Sequence, residues 1–199
     1  SGTGRPGPRA WRAGGGGGSF LACPPGPIGP RSRGVRGAGS PTPEKAVSLL
    51  EKCINITMGE GELQAECKLE LADILLMRGD PWEAILLYSQ VEKDFKENPI
   101  GHEAKFRRAR ISYFQGEFDW AQAQLDVLKA STSKLIANNA MDLSLLITDN
   151  VGLDTSTHAM EMYARAEFLA FQNKWEASTN TLDSLLLTLL QLASKDTKV

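Results

Sequence analysis

One short turn occurs twice in the chain. Gly79-Asp80-Pro81-Trp82-Glu83-Ala84 and Gly116-Glu117-Phe118-Asp119-Trp120-Ala121 superpose at an offset of 37 residues, with Tyr88 over Leu125 and Val91 over Leu128. A second register, at 57 residues, places Phe171-Gln172 over Phe114-Gln115, Arg165-Ala166 over Arg108-Ala109 and Leu182-Asp183 over Leu125-Asp126. Both follow one grammar. A helix ends in Gly or Asn, a polar residue and a ring or Pro follow, and a second helix opens with Ala or Ser and carries apolar residues four and seven positions later. The small residue is needed where two helix axes approach closely, and the bulky ones fill the space beyond it. Paired helices with a period in the thirties cannot hide their apolar faces alone and do so against their neighbours, which predicts a stack of hairpins.

The periodicity around these turns is helical throughout, and no segment alternates as a strand would. Pro43-Glu44 suits a first helical turn. Ala46, Leu49, Leu50, Cys53 and Ile54 then recur at three- and four-residue steps until Met58-Gly59-Glu60-Gly61. Further helices are predicted over 63–78, from Pro81 to about Asn98-Pro99, over 99–115 and 117–129, and over about 132–149, 155–172 and 174–194, with Asp149-Asn150-Val151-Gly152 as a turn.

The Gly-Asp/Glu-x-x-x-Ala turns at 79–84 and 116–121, Leu71-Ala72 and Leu75 before the first, and Tyr88 after it resemble the tetratricopeptide repeat (TPR) family. The resemblance covers about residues 44–194, is most specific over 63–129, and is to a fragment of the long bacterial proteins that string many such hairpins together. It implies an all-α, right-handed superhelical solenoid of antiparallel helix hairpins over residues 41–199. Some positions depart from the family pattern. Arg108 and Ser112 stand where apolar residues usually pack, Asn173 and Ser178 replace Gly and Ala, and helix 132–149 is an odd member between two hairpins. Either one repeat has three helices, or the 57-residue register is partly accidental.

Residues 1–40 have a different texture, with 13 of the 19 glycines and six of the ten prolines. Gly has the most backbone freedom to lose and Pro removes donors, so this stretch is expected to be a disordered leader. An apolar run would have to precede Ala22-Cys23 for export, and Gly14 to Gly18 occupy its place, so no signal peptide is read. A cytoplasmic and a bacterial periplasmic location both stay open. The leader also holds six of the 22 basic residues and no acid, which leaves 16 basic against 24 acidic residues and a charge of −8 on the remainder. Such a balance argues against docking on nucleic acid. No apolar stretch reaches the length of a transmembrane helix.

Catalytic chemistry has few candidates here. His102 and His158 are the only histidines, and no HExxH, nucleophile elbow, P-loop or dinucleotide turn occurs. Asp149-Asn150-x-Gly152-x-Asp154 lacks the spacing and closing Glu of a calcium loop. Neither a metal nor a cofactor is expected. Three cysteines, at 23, 53 and 67, form no closed framework. Cys53 and Cys67 flank a turn between adjacent helices and could face each other, but they read better as two small buried residues. Trp82, Trp120 and Trp175 fall beside the turns, where packing at the helix ends is the simpler reading.

The sharper candidate is the helix 99–115, where Lys105, Arg107, Arg108 and Arg110 are concentrated in an acidic domain. In the TPR family the first helix of each pair lines a peptide-binding groove, so the resemblance implies a non-catalytic scaffold that binds a protein or peptide. Lys105, Arg107, Arg110, Asp73 and Tyr113 are its candidate contacts. Arg107 and Arg110, three residues apart, could hold one carboxylate of an acidic segment. The competing reading pairs these cations with Glu70, Asp73 or Glu92 on adjoining helices. The family's carboxylate-clamp asparagines are not matched, since Asp73 and Arg110 stand there. An RNA-binding helical repeat and a helical domain of an enzyme are the alternative functions. Finally, Leu185, Leu186, Leu187, Leu189, Leu190 and Leu192 surround the last helix. The end of a solenoid needs a polar outer face, so this helix is expected to be covered by a further repeat or by a second copy of the chain.

Overall fold

Eight α-helices and no strand make up the described residues, which in this computed structural model are 42–151 and 157–196. They are α1 (Pro43–Ile56), α2 (Gly61–Arg78), α3 (Pro81–Asp94), α4 (Pro99–Phe114), α5 (Phe118–Leu128), α6 (Lys134–Val151), α7 (Thr157–Phe171) and α8 (Trp175–Asp196). The expected all-α class is met, while the expected leader 1–40 lies outside the described residues. Proline opens α1, α3 and α4, where its missing N–H has no partner to lose. Asn98 caps α4, its side-chain oxygen accepting from the Ile100 N–H at 3.0 Å.

The three expected turns share one hydrogen-bond pattern. Gly79 N–H donates to Leu76 O and Asp80 N–H to Leu75 O. Gly116 and Glu117 repeat this onto Tyr113 and Ser112, and Asn173 and Lys174 onto Ala170 and Leu169. Each closes the preceding helix through a left-handed residue, at φ 98° for Gly79, 80° for Gly116 and 60° for Asn173. Asn is among the few side chains that tolerate this conformation, so the substitution for Gly leaves the turn intact. Beyond the turns, Ala84 and Ala121 are fully buried. Ser178, buried at the equivalent place, satisfies its hydroxyl by donating to Ala166 O at 2.8 Å.

Helices adjacent in sequence pack on one another from α1 to α8, with α3 against both α2 and α4. Two apolar clusters result. One joins Leu69, Leu71, Leu75 and Leu76 of α2 to Tyr88 and Val91 of α3 and Ile111 of α4. The other joins Phe106 and Tyr113 of α4 to Leu125 and Leu128 of α5, Ile136 and Ile147 of α6, and Met160 of α7. Gly101 is buried where α4 begins, and a methyl group there would overlap the backbone carbonyl of Phe95. The two departures at 108 and 112 form a polar layer inside this packing. Arg108 Nη1 pairs with Glu92 Oε2 at 3.0 Å, its Nε donates to Gln124 Oε1 at 3.2 Å, and Gln124 Nε2 donates to Ser112 Oγ at 3.2 Å.

Three expectations need correction. Asp149, Asn150 and Val151 continue α6 instead of turning, because Ile147 and Val151 pack into the second cluster and Asn150 Nδ2 donates back to Leu146 O at 2.7 Å. Gly152 lies outside the described residues. Cys53 and Cys67 are joined as a disulfide, with Cα atoms 6.4 Å apart across the antiparallel α1–α2 pair. Trp82, Trp120 and Trp175 are 79%, 59% and 58% exposed. The small residue just after each turn takes the inner position, which leaves the neighbouring indole on the outside.

Helix α7 departs from simple succession. It packs on α8 but also against α4 and α6. Its C-terminal end reaches α2, where Gln172 Nε2 donates to Leu76 O at 3.4 Å. Phe168 and Phe171 join the α2–α4 cluster.

Candidate functional site

The basic residues of α4 fan out to three different neighbours. Arg107, mostly buried, pairs with Asp73 Oδ2 at 2.8 Å and Glu70 Oε1 at 3.4 Å on α2, and with Glu103 Oε1 at 2.9 Å one turn back. Burial disfavours its charge, yet Asp73, Glu103 and Glu70 more than offset that, and the guanidinium is held more firmly protonated than usual. Asp73 also accepts a short hydrogen bond from the Tyr88 hydroxyl. Lys105 and Arg108 point to α3 instead, where both meet Glu92, at 3.9 and 3.0 Å.

Arg110 takes a third direction. Its guanidinium lies 5.4 Å from the ring centre of Phe114 and 5.5 Å from that of Phe171 on α7. Next to it the Tyr113 hydroxyl donates to Glu167 Oε2 of α7 at 2.5 Å. Burial raises the pKa of Glu167 above the ordinary carboxylate value, and the Tyr113 hydrogen bond and Arg110 act in the opposite sense. Burial likewise raises that of Tyr113, with the Glu167 charge adding to it. Arg107 and Arg110 therefore diverge, each engaged within the chain. The salt-bridge reading of Lys105, Arg107 and Arg108 describes their partners. Asp73 and Arg107 stand together between α2 and α4, whereas Arg110 and Tyr113 lie under α7.

What remains open lies toward the N-terminal ends of α2 and α4. A depression of about 510 Å³ is lined there by Glu62, Glu66, Leu69 and Glu70 of α2 and by Asn98, Pro99, Ile100, Glu103 and Arg107. Leu69, Pro99 and Ile100 supply apolar surface. Asn98 ties the two sides together, its Nδ2 donating to Glu62 Oε1 at 2.9 Å. Four carboxylates face one guanidinium that is already paired with two of them, so the rim is negative. Sequence reasoning had singled out the cations of α4, named Glu70 only as a salt-bridge partner for them, and passed over Glu62 and Glu66. The i, i+4, i+8 spacing of the three, which places them on one side of α2, was the available signal.

Groups for catalysis are dispersed. His102 Nδ1 lies 2.8 Å from Ser131 Oγ, and the exposed His158 lies 3.8 Å from Glu161 of its own helix. Among the described residues no group of three or more His, Cys, Asp or Glu is placed to hold a metal ion, and no helix is long and apolar enough to cross a membrane. Comparison of the chain with protein-family models, with curated proteins and with solved structures gave no match.

Proposed function

We propose that the chain is a non-catalytic scaffold of tetratricopeptide-repeat type, a right-handed stack of helix hairpins that holds a peptide segment of another protein against α2 and α4. The repeated turn geometry at 79, 116 and 173 supports the repeat reading. The observation that carries the binding reading is the depression between α2 and α4, lined by apolar Leu69, Pro99 and Ile100 together with charged side chains. Such a surface selects by shape and apolar contact, while its charges orient the ligand. An acidic segment was the expectation from the α4 cations alone. With those cations paired internally and Glu62, Glu66, Glu70 and Glu103 on the rim, the fitting occupant carries basic side chains on an apolar backbone of Leu or Ile. The same negative rim disfavours the RNA-binding alternative, since phosphates would approach carboxylates.

The test is calorimetric titration of the full chain with two peptides of equal apolar content, one bearing Lys and Arg, the other Asp and Glu. The basic peptide is expected to bind and to weaken by about tenfold in Glu66→Lys/Glu70→Lys, with more salt weakening it further. Binding of the acidic peptide alone, or of neither, overturns the reading.

A further inference from the structure

We infer that α8 carries a self-association seam whose occupant is the α8 of a second copy, lying antiparallel. The inference is independent of the α2–α4 depression. Helix α8 meets α7 along Ser178 and Leu185, which are buried, with Thr181 and Thr188 half-buried beside them. That face uses one of the helix's seven leucines. On the adjoining side Trp175, Thr179, Leu182, Leu186 and Leu189 are all exposed and follow one another at steps of four, three, four and three residues. This alternation is the 3.5-residue period by which one helix lays an unbroken seam along another. A helix that meets its own chain on one face and merely faces water on the other has no need of it. Thr179 does not interrupt the seam chemically. Its hydroxyl already donates to Trp175 O and Glu176 O, both at 2.9 Å, which leaves the methyl group for contact.

The area fits a pair of copies. The seam residues together with Leu190 leave on the order of 500 Å² per copy, or about 1,000 Å² for the pair, the lower bound of a specific interface. The direction follows from charge and size. A parallel pair would set Glu176 beside Glu176 and Trp175 beside Trp175. An antiparallel pair centred on Leu182 sets Trp175 opposite Leu189 and separates the two Glu176 positions by roughly 18 Å along the axis. It also opposes the two helix dipoles. The result is an isologous contact that closes at two copies.

Sedimentation equilibrium of the full chain, carrying Cys23→Ser to prevent disulfide-linked copies, is the test. Mass is expected to double over a range of about 1–200 µM, as suits a small interface. Leu186→Lys should weaken the association at least tenfold. Leu187→Lys, about 120° around the helix from the seam, should leave it unchanged. Both substitutions fall on exposed positions, so far-UV circular dichroism should match the parent and separate lost association from lost fold. A chain that stays monomeric throughout overturns the inference, as does equal weakening by the two variants. A monomer that binds an apolar-surface dye less well after Leu186→Lys also overturns it, because the face then belongs to a different partner.

Discussion

Helices α4 and α8 exchange the places their compositions suggest. Helix α4, with Lys105, Arg107, Arg108 and Arg110 in 16 residues, packs against five other helices and buries Gly101, Ala104, Phe106, Ala109, Ile111, Ser112 and Tyr113. Helix α8 is longer, at 22 residues, and carries seven leucines, yet Ser178 and Leu185 are its buried residues. Number of neighbours, not apolar content, decides burial here. A helix placed among α2, α3, α5, α6 and α7 can keep four cations because each finds a carboxylate or a ring at its tip. A leucine-rich helix with α7 as its neighbour leaves most of its apolar surface to water.

The contrast is most easily broken at the point where α4 enters the interior. Gly101→Ala places a methyl group against the Phe95 carbonyl, a backbone atom that cannot step aside. A loss of about 3 kcal/mol or more in chemical denaturation is expected, and a neutral result would mean that α4 is not seated as described. Next in size is the Cys53–Cys67 link, which closes a loop with a sequence separation of 14. Helix α1 has no buried residue, so reduction should cost about 2–3 kcal/mol. Hydrogen exchange should rise in α1 and stay low in α4.

Arg107→Ala sharpens the comparison from the electrostatic side. It leaves Asp73, Glu70 and Glu103 without their shared cation and should destabilise by about 2 kcal/mol, less than a fully buried pair because the group is partly hydrated. The smallest effect concerns Glu167. Because burial raises its pKa in the folded chain, the folded state keeps a proton that the unfolded state releases. The contribution of the group is complete below the unfolded value and declines as pH rises through the folded one. Glu167→Gln cannot ionise and can still accept from Tyr113. Melting temperatures measured from pH 4 upward should therefore fall less for this variant than for the parent.

Local structure was largely legible from the residues. The glycine turns at 79 and 116, and Ala84 and Ala121 after them, follow from backbone sterics that act within a few positions, and the helix bounds agree to within about two residues except at the end of α3, which stops at Asp94, about four residues before the expected Asn98-Pro99. Legibility failed wherever distance along the chain was long. The Tyr113–Glu167 hydrogen bond joins residues 54 apart, and nothing in the period of either helix announces that α7 lies against α4. The direction of each cation was hidden for the same reason. Side-chain spacing on α4 fixes which residues neighbour one another, whereas Asp73, Glu92 and Phe171 come from other helices. At 149–151 the polar residues that usually mark a turn were overruled by the burial of Ile147 and the packing of half-buried Val151 against the same cluster.

The seat of α7 has a kinetic consequence. Nearly every helix contact joins neighbours in the chain and closes only a short loop, so those pairs form quickly. The contact of α7 with α4 and α2 closes a loop of more than fifty residues and has no surface to dock on until α4 is in place. Glu167, Phe168 and Phe171 therefore arrive late, and until they do the rings of Tyr113 and Phe114 stay open to solvent. In this molecule the last step of folding and the covering of one end of the α2–α4 face are a single event.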